Sequence, residues 1–213
     1  MAELRDIRFF LDKIENWAEK SAWLKEIPHN SKQVYKGVLL DAWQDEVILP
    51  DHSLSKREYI RHPGASVVLP VFDNGDVLLL GQYRYPVKQA LLEVPAGKLD
   101  AGEPPEVTAR RELTEETGLT CQNLHYVGFF HPCIGYSDEV IHLFAAWNLT
   151  VGRDNMDDDE FLTHFRLPFR QAVEMVHAGE ITDSKTIVSL LRTQAWWHAH
   201  GPFKLSETNQ SGE

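Results

Sequence analysis

Three glutamates within five positions form the part of this chain best suited to chemistry: Glu112, Glu115 and Glu116, in the run RRELTEET. On a helix, residues three and four positions apart lie on neighbouring rows of one face, so these carboxylates repel one another. A lone run of this kind is usually a solvated helix face. Clustered carboxylate oxygens are also the ligands that Mg²⁺ and Mn²⁺ prefer when substrate phosphates complete the coordination. The spacing therefore suggests a divalent metal site acting on a phosphate compound.

The residues on both sides of the glutamates predict a loop followed by a helix. Pro104 and Pro105 suit a helix start, and Gly118 suits the position just past a helix end. The apolar edge of this helix is expected to comprise Val107, Ala109 and Leu113.

Two contacts are expected to tie the loop to this helix. Gly97 permits a sharp backbone turn, which aims the Ala96 carbonyl at the same metal site. Glu103 is placed to meet Arg111, and an ion pair there would fix the loop on the helix. The loop and the helix together should therefore form one rigid unit.

The segment from Gly97 to Leu119 fits the pattern G-x5-E-x7-R-E-U-x-E-E-x-G-U, with U aliphatic, at every fixed position. It resembles the signature of the Nudix hydrolases, which cut a diphosphate linked to another group. The resemblance implies an α+β fold, an α/β/α sandwich whose mixed central sheet carries the signature as loop, helix and loop. It implies Arg111 and Glu115 as catalytic residues. The implied ligands of two or three Mg²⁺ or Mn²⁺ ions are the Ala96 carbonyl, Glu112, Glu115 and Glu116.

Outside the signature, the chain resembles the ADP-ribose pyrophosphatase branch of that family, which includes hydrolases of other nucleoside diphosphate sugars. The segments SKREYIRHPGASVVLP, QYRYPV, LLEVPAGKLDAGE, GYSDE and GEITDSKTIVSLL carry this resemblance. It implies that Arg57 and Arg84 contact the substrate phosphates, for which guanidinium groups are well suited. Glu139 is expected to bind hydroxyls of the terminal sugar. Glu93 is also expected to bind substrate, since it lies where the strand enters the site, and it is expected to help hold the loop.

The acidic run DNMDDDE at residues 154–160 matches a loop that carries the catalytic base in this branch. The resemblance assigns the base and a further metal ligand to Asp158 and Glu160. Four consecutive acids allow the alignment to shift, and a solvated acidic loop is the alternative. The resemblance thus implies a metal-assisted attack of water on phosphorus, with one of these acids accepting the proton.

Two departures from the branch leave its substrate open. Ile134 stands where the branch usually has proline, and Val38 and Leu39 stand where an aromatic often stacks on adenine. Tyr35 and Trp43 are the alternative stacking residues. ADP-ribose is the first expectation, with GDP-mannose or another nucleotide sugar or dinucleotide as the alternative. A nucleotide-sugar sensor that does not cut its ligand and a phosphatase of oxidised nucleoside triphosphates are further alternatives.

Composition restricts the class of protein. The chain has 213 residues, 43% of them hydrophobic, and a formal net charge of −11, which argues against nucleic acid or an anionic membrane as partner. Two cysteines make no disulfide framework and favour a reducing compartment. We find no signal peptide and no membrane-spanning run, so we expect a cytoplasmic protein.

Three regions are expected along the chain. Residues 1–62 form an N-terminal extension, with helices within residues 1 to about 30 and strands after them. This extension is expected to serve homodimerisation and substrate binding. Residues 63–203 form the hydrolase domain, with a hairpin around Asn74-Gly75 and closing helices at 170–178 and 184–198, the second capped by Asp183. Residues 204–213 form a flexible tail.

Overall fold

The computed structural model of the protein describes residues 21–152, 161–203 and 205. The chain divides into two compact units. The first comprises Met1–Arg61 with Gly135–Ser137, and the second comprises His62–Ile134 with Asp138–Glu213. The division at Arg61 lies next to the expected boundary at residue 62, but the roles expected of the N-terminal extension stay predictions.

The first unit contains a three-stranded antiparallel sheet in the order β1-β2-β3. Its strands are β1 (Ile27–Lys36), β2 (Asp41–Ile48) and β3 (Leu54–Ile60). The expectation of helix up to about residue 30 is wrong for its described part: a short 3-10 turn at Ala22–Leu24 gives way to β1, where Pro28 disfavours helix. A turn separates β1 from β2, and in it the Gly37 N–H donates to the Leu40 carbonyl at 2.8 Å.

The described residues of the second unit form two sheets and three helices. Its strands are β4 (Ala65–Pro70), β5 (Asp76–Arg84), β6 (Gln89–Glu93), β7 (Ala96–Lys98), β8 (Leu119–Phe130), β9 (Ile141–Val151) and β10 (Thr163–Pro168). Its helices are α1 (Pro105–Thr117), α2 (Phe169–Ala178) and α3 (Ser184–His200). The order β7-β4-β9-β8 is mixed, because β4 and β9 run parallel, and β10-β5-β6 is antiparallel. The expected α+β class with a mixed sheet is confirmed.

Strand β4 lies at the centre of the core because both of its faces are buried. Side chains alternate across a strand, so Val67 and Leu69 pack in the cluster that holds residues of α2 and α3. Val68 packs in the second cluster, with Ala109 and Leu113 of α1. The helices therefore cover opposite faces of the mixed sheet.

Helix α1 has the ends that the sequence predicts. It begins at Pro105, and Gly118 follows in the left-handed conformation (φ 67°), with its N–H on the Thr114 carbonyl at 2.9 Å. The expected apolar edge is confirmed for Ala109 and Leu113 and is wrong for Val107, which is half exposed. The short polar helix is therefore held mainly by two buried apolar side chains and by its charged contacts.

Helix α3 is capped as expected, since the Asp183 carboxylate accepts the Thr186 N–H at 2.9 Å. The hairpin around Asn74-Gly75 is also confirmed: Phe72 N–H donates to the Asp76 carbonyl at 2.8 Å. No helix in the described part of the chain is long and apolar enough to cross a membrane.

Candidate active site

A cavity of about 490 Å³ opens in the second unit, at the junction of β4, β5, β7, helix α1 and the start of α3. Its lining residues are His62, Ala65, Val67, Arg84, Ala96, Gly97, Lys98, Asp100, Arg111, Glu112, Glu115, Glu139, Ile141 and Lys185. Four of these are cationic and four are anionic at neutral pH, so the cavity is strongly polar without a dominant sign of charge. The expected residues Arg84, Ala96, Arg111, Glu112, Glu115 and Glu139 are thus brought together.

Arg111 is the centre of the acidic side of this cavity. Its Nη1 donates to Glu112 Oε1 at 2.7 Å and to Glu115 Oε2 at 2.9 Å. Its Nη2 donates to Glu103 Oε2 and to the Lys98 carbonyl, each at 3.3 Å. The predicted Glu103–Arg111 contact is therefore confirmed, and the same guanidinium offsets the repulsion among the helix carboxylates.

The contact has a clear effect on the acidity of Glu103. Hydrogen bonds from Arg111, and then from Thr108 Oγ1 at 2.7 Å, lower the pKa of Glu103 from 4.5 to about 2. The Glu103 contact in turn raises the pKa of Arg111, so this cation stays charged at every relevant pH. At neutral pH the loop that contains Glu103 is therefore held on α1 by an ion pair.

Strand β7 approaches the carboxylates through its backbone. A Cβ atom on Gly97 would overlap the Glu112 carboxylate, so any other residue at this position would displace that carboxylate. The neighbouring Ala96 N–H donates to Glu116 Oε2 at 2.9 Å, and Glu116 is buried. Gly97 thus allows the loop backbone to lie against two of the three expected metal ligands.

The donor atoms fit a divalent cation. Glu112 and Glu115 already converge on one cationic nitrogen, and oxygen atoms are the ligands that Mg²⁺ prefers. Among the described residues, no group of three or more His, Cys, Asp or Glu side chains is arranged so that it could hold a metal ion. In this structure Arg111 lies between Glu112 and Glu115, while Glu116 accepts from Ala96. The metal-ligand roles of the glutamates and of the Ala96 carbonyl stay predictions.

A second charged network lies beside the cavity. Both oxygens of Glu93 accept from Arg84, from Nε at 2.7 Å and from Nη2 at 2.6 Å. Lys185 Nζ donates to the same Glu93 carboxylate and lies 3.1 Å from Asp183 Oδ1. Burial raises the pKa of Glu93, but the Arg84 hydrogen bonds and the Lys185 charge outweigh it, and the net pKa is lowered.

The remaining expected residues have different outcomes. Glu139 lines the cavity, with Oε1 3.7 Å from His62 Nδ1. Arg57 belongs to the first unit, where its Nε donates to Glu26 Oε2 at 2.8 Å. Asp158 and Glu160 lie outside the described residues. Substrate contact by Arg57 and base catalysis by Asp158 or Glu160 therefore stay predictions.

Sequence reasoning missed Lys185, together with the lining residues His62, Lys98 and Asp100. A signal for Lys185 was present in the chain. It is in the first turn of α3, two positions after the cap Asp183, where a cation is disfavoured by the helix dipole. Acidic partners offset this cost, and here Lys185 has both Glu93 and Asp183.

Comparison with known proteins agrees with this geometry. The model of the NUDIX domain matches residues 60–190 of the chain. The chain belongs to the Nudix family. Because the domain and its signature are intact, it is a Nudix pyrophosphohydrolase, and the expected family is confirmed.

Three curated Nudix-like relatives have similar sequences. An ADP-ribose pyrophosphatase of Bacillus subtilis is 38% identical over 169 residues, covering 78% of this chain and 91% of the relative. A methanol dehydrogenase activator of Bacillus methanolicus is 37% identical, with 75% and 88% covered. A GDP-mannose pyrophosphatase of Yersinia enterocolitica is 37% identical, with 64% and 75% covered.

A solved structure supports the Nudix fold independently of close sequence similarity. The crystal structure of an ADP compounds hydrolase superposes with a TM-score of 0.75, covering 84% of this chain and 97% of that chain. Its sequence identity is only 19%, so the match bears on the fold alone.

Gly97→Ala is expected to reduce hydrolysis on the order of a hundred-fold, because the new methyl displaces the Glu112 carboxylate. The measurements are kcat and the thermal unfolding midpoint. Gly102→Ala is the matched control: it imposes a positive φ (81°) on alanine, costing about 1 kcal/mol, but the new methyl meets no atom within 4 Å. A Gly97→Ala enzyme with wild-type kcat would contradict the proposed steric role.

Glu103→Gln is expected to destabilise the protein in a pH-dependent way. Because the folded-state pKa of Glu103 lies below its ordinary value, its charge stabilises the fold above pH 4.5, and this contribution is lost as pH falls towards about 2. Urea unfolding of both proteins should therefore show a stability difference at neutral pH that narrows across that window. Glu106→Gln, which breaks an exposed pair with Arg110, is the control, with little effect at any pH. A difference that is independent of pH would rule out the charge as its cause.

Proposed function

We propose that the protein hydrolyses the diphosphate bond of ADP-ribose or a related nucleoside diphosphate sugar, giving a nucleoside monophosphate and a sugar phosphate. One observation carries this proposal: a single cavity has paired cations, Arg84 and Lys185, and the signature carboxylates Glu112 and Glu115. The cations suit a diphosphate, and the carboxylates suit divalent ions that neutralise it. The cavity volume of about 490 Å³ falls in the range of small-molecule sites.

The substrate relation is supported by the relatives. ADP-ribose pyrophosphatase and GDP-mannose pyrophosphatase are both named among proteins at least 37% identical to this chain. Both named substrates are nucleoside diphosphate sugars, so the diphosphate is the shared feature. The side chains of Ile134, Val38 and Leu39 are strongly exposed. The preferred base and sugar are to be measured.

The residues divide the work of the reaction between them. Arg84 and Lys185 bind the phosphate oxygens, and Glu139 accepts hydrogen bonds from sugar hydroxyls. Divalent ions, expected to be Mg²⁺ or Mn²⁺, would neutralise developing charge and make a water more acidic when held by Glu112, Glu115, Glu116 and the Ala96 carbonyl. Arg111 keeps the helix carboxylates together and on the loop.

The chemical step is a hydrolysis at phosphorus. The water oxygen forms a bond to one phosphorus while the bond from that phosphorus to the bridging oxygen breaks. The bridging oxygen leaves with the other phosphate. A carboxylate of the acidic run, Asp158 or Glu160, accepts the proton of the water.

The test is phosphate-product release with Mg²⁺ from ADP-ribose, GDP-mannose, UDP-glucose, NADH, diadenosine polyphosphates and nucleoside triphosphates. We expect hydrolysis of a nucleoside diphosphate sugar, reduced on the order of a hundred-fold in Glu115→Gln because a carboxylate of the charged site is lost. Glu106→Gln neutralises an exposed glutamate on the same helix, outside the cavity, and should keep full activity.

Other results would identify the alternatives. A preference for nucleoside triphosphates would replace the proposal with a nucleotide-cleaning function. Binding of nucleotide sugars without hydrolysis of any compound in the panel would favour a sensor over an enzyme of these substrates.

We also propose that the protein is a homodimer that uses its N-terminal unit. Exposed apolar side chains in the described part of that unit include Trp23, Ile27, Val34, Tyr35, Val38, Leu39 and Leu54. Exposed apolar patches mark protein interfaces, and we propose that these side chains belong to one. We therefore propose that Arg57 serves a substrate site completed by two subunits.

Light scattering should give about twice the 24.4 kDa mass of the chain. The double substitution Val38→Asp, Leu39→Asp should shift the protein towards the monomer, because charges are costly in a dry interface. Val107→Asp, at an exposed position of the second unit, is the control. A fully active wild-type monomer would contradict the dimer proposal.

A cytoplasmic location is proposed on chemical grounds. Cys121 and Cys133, the two cysteines of the chain, are not joined to each other by a disulfide. Cysteines that form no disulfide are typical of reducing compartments.

A further inference from the structure

Glu93 is the most buried carboxylate among the described residues, with 2% of its surface exposed. It does not line the cavity, whereas its two cationic partners, Arg84 and Lys185, both do. Its two oxygens are engaged by Arg84 Nε and Nη2, and one of them is also engaged by Lys185. Glu93 therefore lies behind the cavity wall, in contact with the groups that form it.

The contacts fix the direction in which each cation faces. A guanidinium is a planar fork, so binding Nε and Nη2 to one carboxylate sets the orientation of the third nitrogen. Nη1 of Arg84 has no hydrogen bond to any residue that the structure describes, and the Arg84 side chain is 42% exposed. Arg84 is thus held at its back by Glu93 while Nη1 stays available to a ligand.

Lys185 is fixed from two directions. Its ammonium contacts Glu93 on one side and Asp183 Oδ1 on the other, and only 13% of its side chain is exposed. Asp183 also caps α3 through Thr186, whose Oγ1 accepts the Val94 N–H at 2.9 Å. The end of β6 and the start of α3 are therefore joined at Glu93, and the ammonium is held at this joint.

We propose that Glu93 is a positioning residue, which does not touch the substrate but holds Arg84 and Lys185 as a two-cation clamp for a diphosphate. This inference rests on the proposed function for the ligand class. It replaces the sequence-based expectation that Glu93 itself binds substrate. The clamp joins β5, β6 and α3.

The change in diphosphate affinity on neutralising Glu93 has one sign if Glu93 positions the cations and the opposite sign if only its charge matters. The four groups Arg84, Lys185, Glu93 and Asp183 have formal charges of +1, +1, −1 and −1, which sum to zero. Neutralising Glu93 makes the network more positive by one charge, and an effect of charge alone would strengthen the binding of an anion. Loss of positioning has the opposite sign, because the two cations are no longer held in the geometry of the ligand.

The test uses methylenediphosphonate, a diphosphate analogue that cannot be hydrolysed, titrated calorimetrically into the full-length protein with Mg²⁺. Glu93→Gln keeps the shape of the side chain, and we expect it to weaken binding about ten-fold or more. Glu174→Gln is the matched control: it removes the same charge from an exposed pair with Arg170, and it should leave affinity unchanged.

Hydrolysis of the preferred substrate gives a second readout. The loss in kcat/KM for Glu93→Gln should be similar for nucleotide sugars that differ in sugar and base, because only the diphosphate contacts the clamp. Equal or tighter binding of methylenediphosphonate by Glu93→Gln overturns the proposal, as does absence of binding by the wild type. A defect that varies strongly with the sugar also overturns it, since Glu93 would then contact the substrate.

If the Glu93→Gln protein does not fold, the same substitution is tested in a protein that also has Lys185→Met. Lys185→Met removes the buried ammonium that would otherwise lose its partner. Glu93→Gln in that background then acts through Arg84 alone and should weaken binding several-fold relative to Lys185→Met; unchanged or tighter binding overturns the proposal. If the wild type hydrolyses no nucleotide sugar but Glu93→Gln still weakens diphosphonate binding, the clamp stands and only the proposed reaction fails.

Discussion

The guanidinium of Arg111 is the group on which the arrangement of the cavity depends. It contacts Glu112 and Glu115 on its own helix and Glu103 on the preceding loop. Without a cation, carboxylates at helical spacings of three and four would repel one another and weaken a short helix. Arg111 thus has two effects. It neutralises the acidic face of the helix, and it fixes the loop that brings the Gly97 backbone against Glu112.

The cavity also requires that Arg84 and Lys185 do not form ion pairs with the signature glutamates. Arg84 and Lys185 are held by Glu93 rather than by the signature glutamates. Each charged network is therefore satisfied largely within itself, in a part of the protein where unpaired charge is costly. In a chain of net charge −11, this separation gives the proposed anionic substrate local cations to bind.

Several features of the fold and the cavity were predictable because they depend on local chemistry. Pro105 and Gly118 mark the ends of α1, and Asp183 caps α3, since these residue types satisfy or release backbone groups wherever a helix begins or ends. The Glu103–Arg111 pair was predictable from signature spacing. The segment after Leu24 was mistaken for helix because apolar periodicity is ambiguous in short runs, and Val107 was wrongly placed on the buried edge.

The sequence by itself determined the family, the α+β class and the set of carboxylates on α1, because a strict pattern of residue types encodes one loop and one helix. Only the tertiary structure decided that Lys185 joins Arg84 at the cavity and that Glu93 lies behind both. Glu93 and Lys185 are 92 positions apart in the chain, and no local spacing relates them. Their contact exists because β6 and α3 pack together in the folded protein. A buried charge without a partner costs free energy, and the ion pair avoids that cost.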